Sequence, residues 1–226
     1  MIVWYEQSVS DIKTSYRSKR LSPVTALSKA LDVKYGDLAY EDDLRYRFTT
    51  EFITAVKSAS VPALSDKSAN ILVCGPSLKE IETLSLQGSK LTLLDLSKRV
   101  LEVISEKYPE IHRVLGTMNH LPFAGETFDL YLSLRAIQSS NVDVTAALDE
   151  SLRVTKVGGK IVFSVSNGYL LRDEIVTGMY STKKGFFDAD RPRRLAAQIE
   201  SYLGDRGQES HTFGIHSEIF IYLIKR

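Results

Sequence analysis

The sequence predicts an α/β domain on a doubly wound, mostly parallel seven-stranded sheet, with a C-terminal antiparallel hairpin and an N-terminal helical extension. Three observations carry this. Between residues 70 and 167, short β-rich apolar runs alternate with helical stretches. The runs are largely apolar rather than apolar at every second position only, the pattern of strands buried on both faces of a parallel sheet. Near the C-terminus, residues 211–215 and 218–224 are two β-like runs close enough to pair as a hairpin.

Taken in order, residues 1–69 form the extension and 70–226 the sheet-bearing domain. Residues 23–31 read as a short helix, with Ser22 as its cap and Pro23 in its first turn. Residues 41–58 read as a longer one. Leu44, Phe48, Phe52 and Val56 recur every four residues, and Ile53 widens that apolar face. Residues 60–69 read as a linker. The five predicted strands of the central region are 71–73, 91–94, 113–115, 130–134 and 160–165. A helix over 170–180, a polar stretch and a helix over 193–203 lead to the hairpin, with Gly204 and Gly207 closing the last helix.

The chain has 226 residues, which suits one α/β domain with an extension better than two full domains. Its net charge of +1 gives no global reason for nucleic acid or an anionic membrane. Cys74 is its one cysteine, so neither an internal disulfide nor a multi-cysteine metal site can form, and a reducing, cytoplasmic setting is expected. His112, His120, His211 and His216 lack metal-ligand spacing, so no metal is expected. No secretory leader is read at the N-terminus, and no apolar run approaches the ~20 residues of a membrane span.

Two strand ends carry the candidate chemistry. The first runs into Cys74-Gly75-Pro76-Ser77 before a helix that starts near Leu78. In a doubly wound sheet, ligands bind at the carboxyl ends of strands, and a glycine there lets the ligand approach the backbone. Read alone, Gly75 is equally a plain turn glycine. The second strand ends in Asp95, placed to accept hydrogen bonds from ribose hydroxyls. Helix capping is the structural alternative for Asp95.

Four stretches then follow in order. Leu94-Asp95-Leu96-Ser97 precedes Val100-Leu101-Glu102-Val103. Leu115-Gly116-Thr117-Met118-Asn119-His120-Leu121-Pro122-Phe123 comes next. Glu126-Thr127-Phe128-Asp129-Leu130-Tyr131-Leu132-Ser133 is the third, and Ser151-Leu152-Arg153-Val154-Thr155-Lys156-Val157-Gly158-Gly159-Lys160-Ile161-Val162 the fourth. In order and spacing they resemble the motifs of class I S-adenosylmethionine-dependent methyltransferases of the type 11 kind. The resemblance spans residues 70–167 and implies a Rossmann-like fold with S-adenosyl-L-methionine as cofactor. It implies that Gly75, Pro76 and Ser77 form the first turn of the cofactor site. Asp95 would take the ribose. Leu96 and Met118 would cover the adenine, with Thr117 and Asn119 at its polar edge. Leu134 and Arg135 would approach the methionine portion. Gly158 and Gly159 would turn the chain into the fifth strand. The sequence departs from the family pattern at the first turn, where Pro76, Ser77, Leu78 and Lys79 replace further glycines, and at Thr117, where the family has Asp. Proline fixes φ and removes an amide donor, so binding in the micromolar range or weaker is expected, about 8 kcal/mol or less.

The expected activity is methyl transfer to a small molecule. RNA or protein as acceptor, and a non-catalytic binding or scaffold protein, remain as alternatives. RNA enters through two basic runs: Lys13, Arg17, Lys19 and Arg20 around Tyr16, and Arg191, Arg193 and Arg194. A solvated helix face is the more ordinary explanation of such runs. No catalytic base is assigned. His120, Asn167 and Tyr169 stand near the predicted ligand edge, with loop, cap and packing roles as their alternatives. Tyr40, Tyr46 and Arg47 of the extension stay unassigned.

Overall fold

A computed structural model describes residues 50–60, 63, 66–83, 90–139, 141–166, 191–215 and 218–226. The helices expected over 23–31 and 170–180, and the start of the one expected over 41–58, lie outside the described residues. The elements are α1 (Thr50–Ser60), β1 (Asn70–Cys74), α2 (Leu78–Thr83), β2 (Lys90–Asp95), α3 (Lys98–Lys107), β3 (His112–Leu115), β4 (Phe128–Leu134), α4 (Val144–Val154), β5 (Thr155–Ser166), α5 (Arg191–Asp205), β6 (Ser210–Gly214) and β7 (Glu218–Ile224).

Seven strands form one sheet in the order β3-β2-β1-β4-β5-β7-β6. The first five are parallel; β7 runs antiparallel to β5 and pairs with β6 as the expected hairpin. Successive side chains of a strand point to opposite faces, and here both faces are covered. Ile71 and Val73 of β1 join Leu130 and Leu132 of β4 in a cluster with Val100 and Ile104 of α3. Leu72 and Cys74 face the other way, toward a cluster that includes Leu148 of α4 and Ile199 and Leu203 of α5. Helix α1 belongs to the first face. Phe52 and Val56 are fully buried there, and the Phe52 ring lies 5.6 Å from that of Phe220 on β7. Lys160 of β5 donates to the carbonyl of Ala59, closing the end of α1 where unpaired carbonyls favour a cation.

Two boundaries differ from the sequence expectation. The linker expected over 60–69 shrinks, because α1 runs to Ser60 and a hydrogen-bonded turn at Ala63–Asp66 and Asp66–Ala69 leads into β1. Gly158 and Gly159 lie inside β5 rather than before it. Thr155 already pairs with Phe128, and a register shift after Phe128 absorbs the glycine pair. Gly158 has φ +79°, and its N–H donates to the carbonyl of Lys225.

Candidate ligand-binding site

The winding of the sheet places the site. From β1 the chain moves outward to β2 and β3, then returns to the other side of β1 as β4 and β5. The carboxyl ends of β1 and β4 therefore flank the point where strand order reverses, the place where open α/β sheets bind ligands. Gly75 ends β1 with φ +72°, and its N–H donates to the carbonyl of Leu94 at 2.9 Å. A Cβ on Gly75 would stand 2.4 Å from the Cβ of Ala136. Thus the glycine lets the turn after β1 close on the segment after β4. Pro76 is buried behind it. Ser77 accepts the Glu80 N–H on its Oγ at 3.1 Å and caps α2.

The neighbouring strand ends are tied to this turn. Asp95 is half-buried, and its Oδ1 accepts the Ser97 N–H at 2.6 Å. Ser97 in turn caps α3 by accepting from the N–H of Val100 at 3.2 Å. The Gly116 N–H donates to the carbonyl of Asp95 at 2.9 Å, which brings the turn after β3 alongside. Leu96 and Thr117 are half-buried at this edge, whereas Met118 is only 5% exposed and packs with Leu72, Leu94 and Leu121. Asn119 spends its side chain inside the protein. Its Nδ2 donates to the carbonyl of Asn141, and its Oδ1 accepts the Asp143 N–H at 3.0 Å. That side chain therefore ties the turn after β3 to the start of α4. Asn119→Ala is expected to cost about 1 kcal/mol in urea unfolding, the usual worth of such bonds; an unchanged midpoint would show that the bridge contributes nothing.

The end of β4 gathers charge. Leu134 is buried, and Arg135 follows with φ +61°. The Arg135 N–H is shared between the carbonyl and the Oγ of Ser164 on β5. The guanidinium pairs with Glu218, the first residue of β7, at 2.5 Å, while its carbon lies 4.9 Å over the Phe52 ring. Both ends of the pair are buried, Arg135 to 9% exposed and Glu218 to 0%. Burial pushes the Glu218 carboxyl up to about 7 against the pull of Arg135. Glu80 of α2 belongs to the same cluster. It is 3% exposed and interacts with both Arg135 and Asp95, and burial pushes its carboxyl up to about 8.

Residues 72–163 match the family model described as a methyltransferase domain. Over these residues the chain is similar to a methyltransferase domain. The chain is 35% identical over 109 residues to a demethylmenaquinone methyltransferase of Thermobifida fusca, covering 46% of this chain and 45% of that protein. It is 35% identical over 78 residues to a malonyl-[acyl-carrier protein] O-methyltransferase of Serratia marcescens, covering 34% of this chain and 30% of that one. The chain thus spans less than half the length of these curated relatives. Its fold is that of the crystal structure of the N-methyltransferase NodS of Bradyrhizobium japonicum in complex with S-adenosyl-L-homocysteine, with a TM-score of 0.59, 15% identity, and 85% of this chain and 97% of that one covered.

The matched segment runs from β1 into β5, so it holds Gly75, Asp95, Thr117 and Arg135 but not Phe52 or Glu218. The structure brings the predicted positions of β1, β2, β3 and β4 to one sheet edge. It adds Glu80 and Glu218, which sequence reasoning missed. Glu80 reads as one more polar residue in Leu78-Lys79-Glu80-Ile81-Glu82, and the signal for Glu218 was no more than an acid heading an apolar run. His120 is exposed beside the turn after β3. Arg193 and Arg194 are exposed on α5. Asn167, Tyr169, Tyr40, Tyr46, Arg47, Tyr16, Lys13, Arg17, Lys19 and Arg20 lie outside the described residues.

Proposed function

We propose that the carboxyl edge of the sheet binds S-adenosyl-L-methionine and that the protein transfers a methyl group to a small-molecule acceptor. The observation that carries this is Asp95 at the end of β2, hydrogen-bonded through its neighbours to the Gly75 turn at the reversal of strand order. The charge of the edge fits the donor. Arg135 acts on both Glu80 and Glu218, and Asp95 acts on Glu80, so among the described residues this edge carries more acidic groups than cations, which suits a ligand that carries positive charge. When bound, the donor supplies a methyl group on a positively charged sulfur.

The chain's own residues then hold and orient. Asp95 takes the ribose hydroxyls through charge-assisted hydrogen bonds. Leu96 and Thr117 flank the adenine, with Met118 packed beneath. The Gly75-Pro76-Ser77 turn and the backbone after Leu134 border the methionine portion. Methyl transfer needs mainly alignment of the two reactants and exclusion of water, and no catalytic base is assigned. Phe52 over Arg135 supports a role for the N-terminal extension as a cover on this edge. The names of the two curated relatives support a small or carrier-borne acceptor. A cytoplasmic location is part of the same reading, supported by a free, buried Cys74. Among the described residues, no helix is long and apolar enough to cross a membrane.

Calorimetric titration with S-adenosylmethionine and with its demethylated product tests the reading. Binding is expected for both. Asp95→Ala should weaken it by about 10- to 100-fold, the equivalent of about 1.4–2.7 kcal/mol lost with the ribose bonds. Unchanged affinity in a folded variant would sink the ribose assignment. No binding by the unmodified protein at millimolar ligand would overturn the enzyme reading in favour of a scaffold.

A further inference from the structure

The first turn of α2 buries a carboxyl group, one oxygen of which no described residue bonds. Glu80 is 3% exposed, and its Oε1 has no hydrogen-bond partner among the described residues. The helix needs nothing from it, because the Glu80 backbone N–H is already satisfied by Ser77. Leaving a buried carboxyl oxygen without a partner costs free energy that exposure would avoid. A second orphan lies in the same cluster. Oε2 of the fully buried Glu218 also lacks a partner, although its Oε1 holds Arg135.

The surrounding charges do not neutralise this group. Asp95 at the end of β2 adds repulsion, and Arg135 at the end of β4 divides its attraction between Glu80 and Glu218. The Cys74 thiol on β1, pushed up to about 12 by burial, stays neutral, as does the buried Tyr131 hydroxyl on β4. Helix α3, which packs on α2, directs its charges to the surface. Lys98 pairs with Glu102 there, Arg99 lies beside Glu102 and Glu106, and Lys107 pairs with Glu82 of α2. Among the described residues the cluster therefore holds more acids than cations, at the edge where the strand order reverses.

The geometry points to Glu80 as the group that receives the positively charged end of the bound ligand, with loss of its own proton to solvent as the ligand enters. This rests on the methyl-donor reading and adds a binding residue to it. In the free protein, burial and Asp95 hold Glu80 protonated below about pH 8. A sulfonium or ammonium group beside the carboxyl reverses that balance, because a neighbouring cation favours the ionised form. The proton released is the one Glu80 carried, and no other bond changes.

The test is titration of the wild-type protein and Glu80→Gln with S-adenosylmethionine between pH 6.0 and 7.5, in two buffers of different ionisation heat. This window lies below the titration of the ligand's own α-ammonium, at about 8. Wild type is expected to bind about tenfold more tightly at the upper end than at the lower, releasing about two thirds of a proton on average across the window. Glu80→Gln is expected to bind about tenfold more weakly at pH 7.5, with affinity that no longer follows pH and no proton release. Glu218 also titrates in this window, and a variant that kept the wild-type slope would assign the proton there and overturn the proposal. Binding by wild type without proton exchange would overturn it too and leave the methyl-donor reading standing. Absence of binding at millimolar ligand would overturn both. The proton count on wild type needs no variant to fold.

Discussion

Replacing Gly75 by alanine is expected to destabilise the protein by about 3–4 kcal/mol, lowering the melting temperature by about 10 °C for a domain of this size. Two costs add. Gly75 has φ +72°, a left-handed conformation that charges an L-residue about 1–2 kcal/mol. The new Cβ would then stand 2.4 Å from the Cβ of Ala136, far inside the ~3.5–4.0 Å at which carbons attract. Ala136 is a short side chain on the backbone after β4, so it cannot rotate away. Relief requires the β1 turn and the β4 turn to separate, an overpacking cost of about 1–3 kcal/mol. Because Gly75 also donates to Leu94, that separation pulls on the end of β2 beside Asp95. Gly158→Ala is the matched comparison. Its φ is +79°, but a Cβ there meets nothing within 4 Å, so only the conformational cost of about 1–2 kcal/mol is expected. Urea unfolding of both variants decides the matter. Equal losses would show that the contact with Ala136 is relieved at no cost, and that Gly75 is there for its φ alone.

The strands were legible because their signal is local. A run such as Ile71-Leu72-Val73-Cys74 is apolar on both faces, and only a sheet covered on both sides accommodates that. The hairpin was legible for the same reason, and Asp95 and Gly75 could be placed because each follows directly from the end of such a run. What escaped depends on contacts between distant segments. Asn119 and Asn141 are 22 residues apart, and nothing in Thr117-Met118-Asn119 announces that the amide will bridge to the start of α4. Arg135 was expected to approach a ligand. What the sequence did not announce is that its guanidinium also meets a carboxylate 83 residues later, and the ring of Phe52 from the extension. Glu80 was illegible for a sharper reason. A glutamate one turn into a short helix is ordinarily solvated, and nothing in its neighbours in sequence announces that Glu80 is buried within reach of Asp95 and Arg135.

That burial has a consequence in the absence of any ligand: stability is expected to fall as pH rises from about 5 to about 8. The sign follows from the two raised carboxyls. In the unfolded chain, Glu80 and Glu218 lose their protons near their ordinary value of 4.5. In the folded protein they keep them until about 8 and about 7 respectively. Between those limits the native state binds more protons than the unfolded state. Each unit of pH rise then costs up to about 1.4 kcal/mol per group, a cost that ends for Glu218 as pH passes through its folded value and for Glu80 one unit later. Glu80→Gln isolates one share. At pH 5 a neutral amide replaces a carboxylic acid that is itself neutral in the folded state, so the two proteins should differ little. At pH 8 the variant should be more stable by about 4 kcal/mol, since the amide has no ionisation to suppress. Urea unfolding of both proteins at pH 5 and pH 8 measures the difference, and parallel pH dependences would show that Glu80 is ionised or solvated in the native state. A variant that gains stability while losing affinity for the methyl donor would place Glu80 among residues retained for a ligand at the expense of the fold, because the cost of its burial is offset only when a cation arrives beside it.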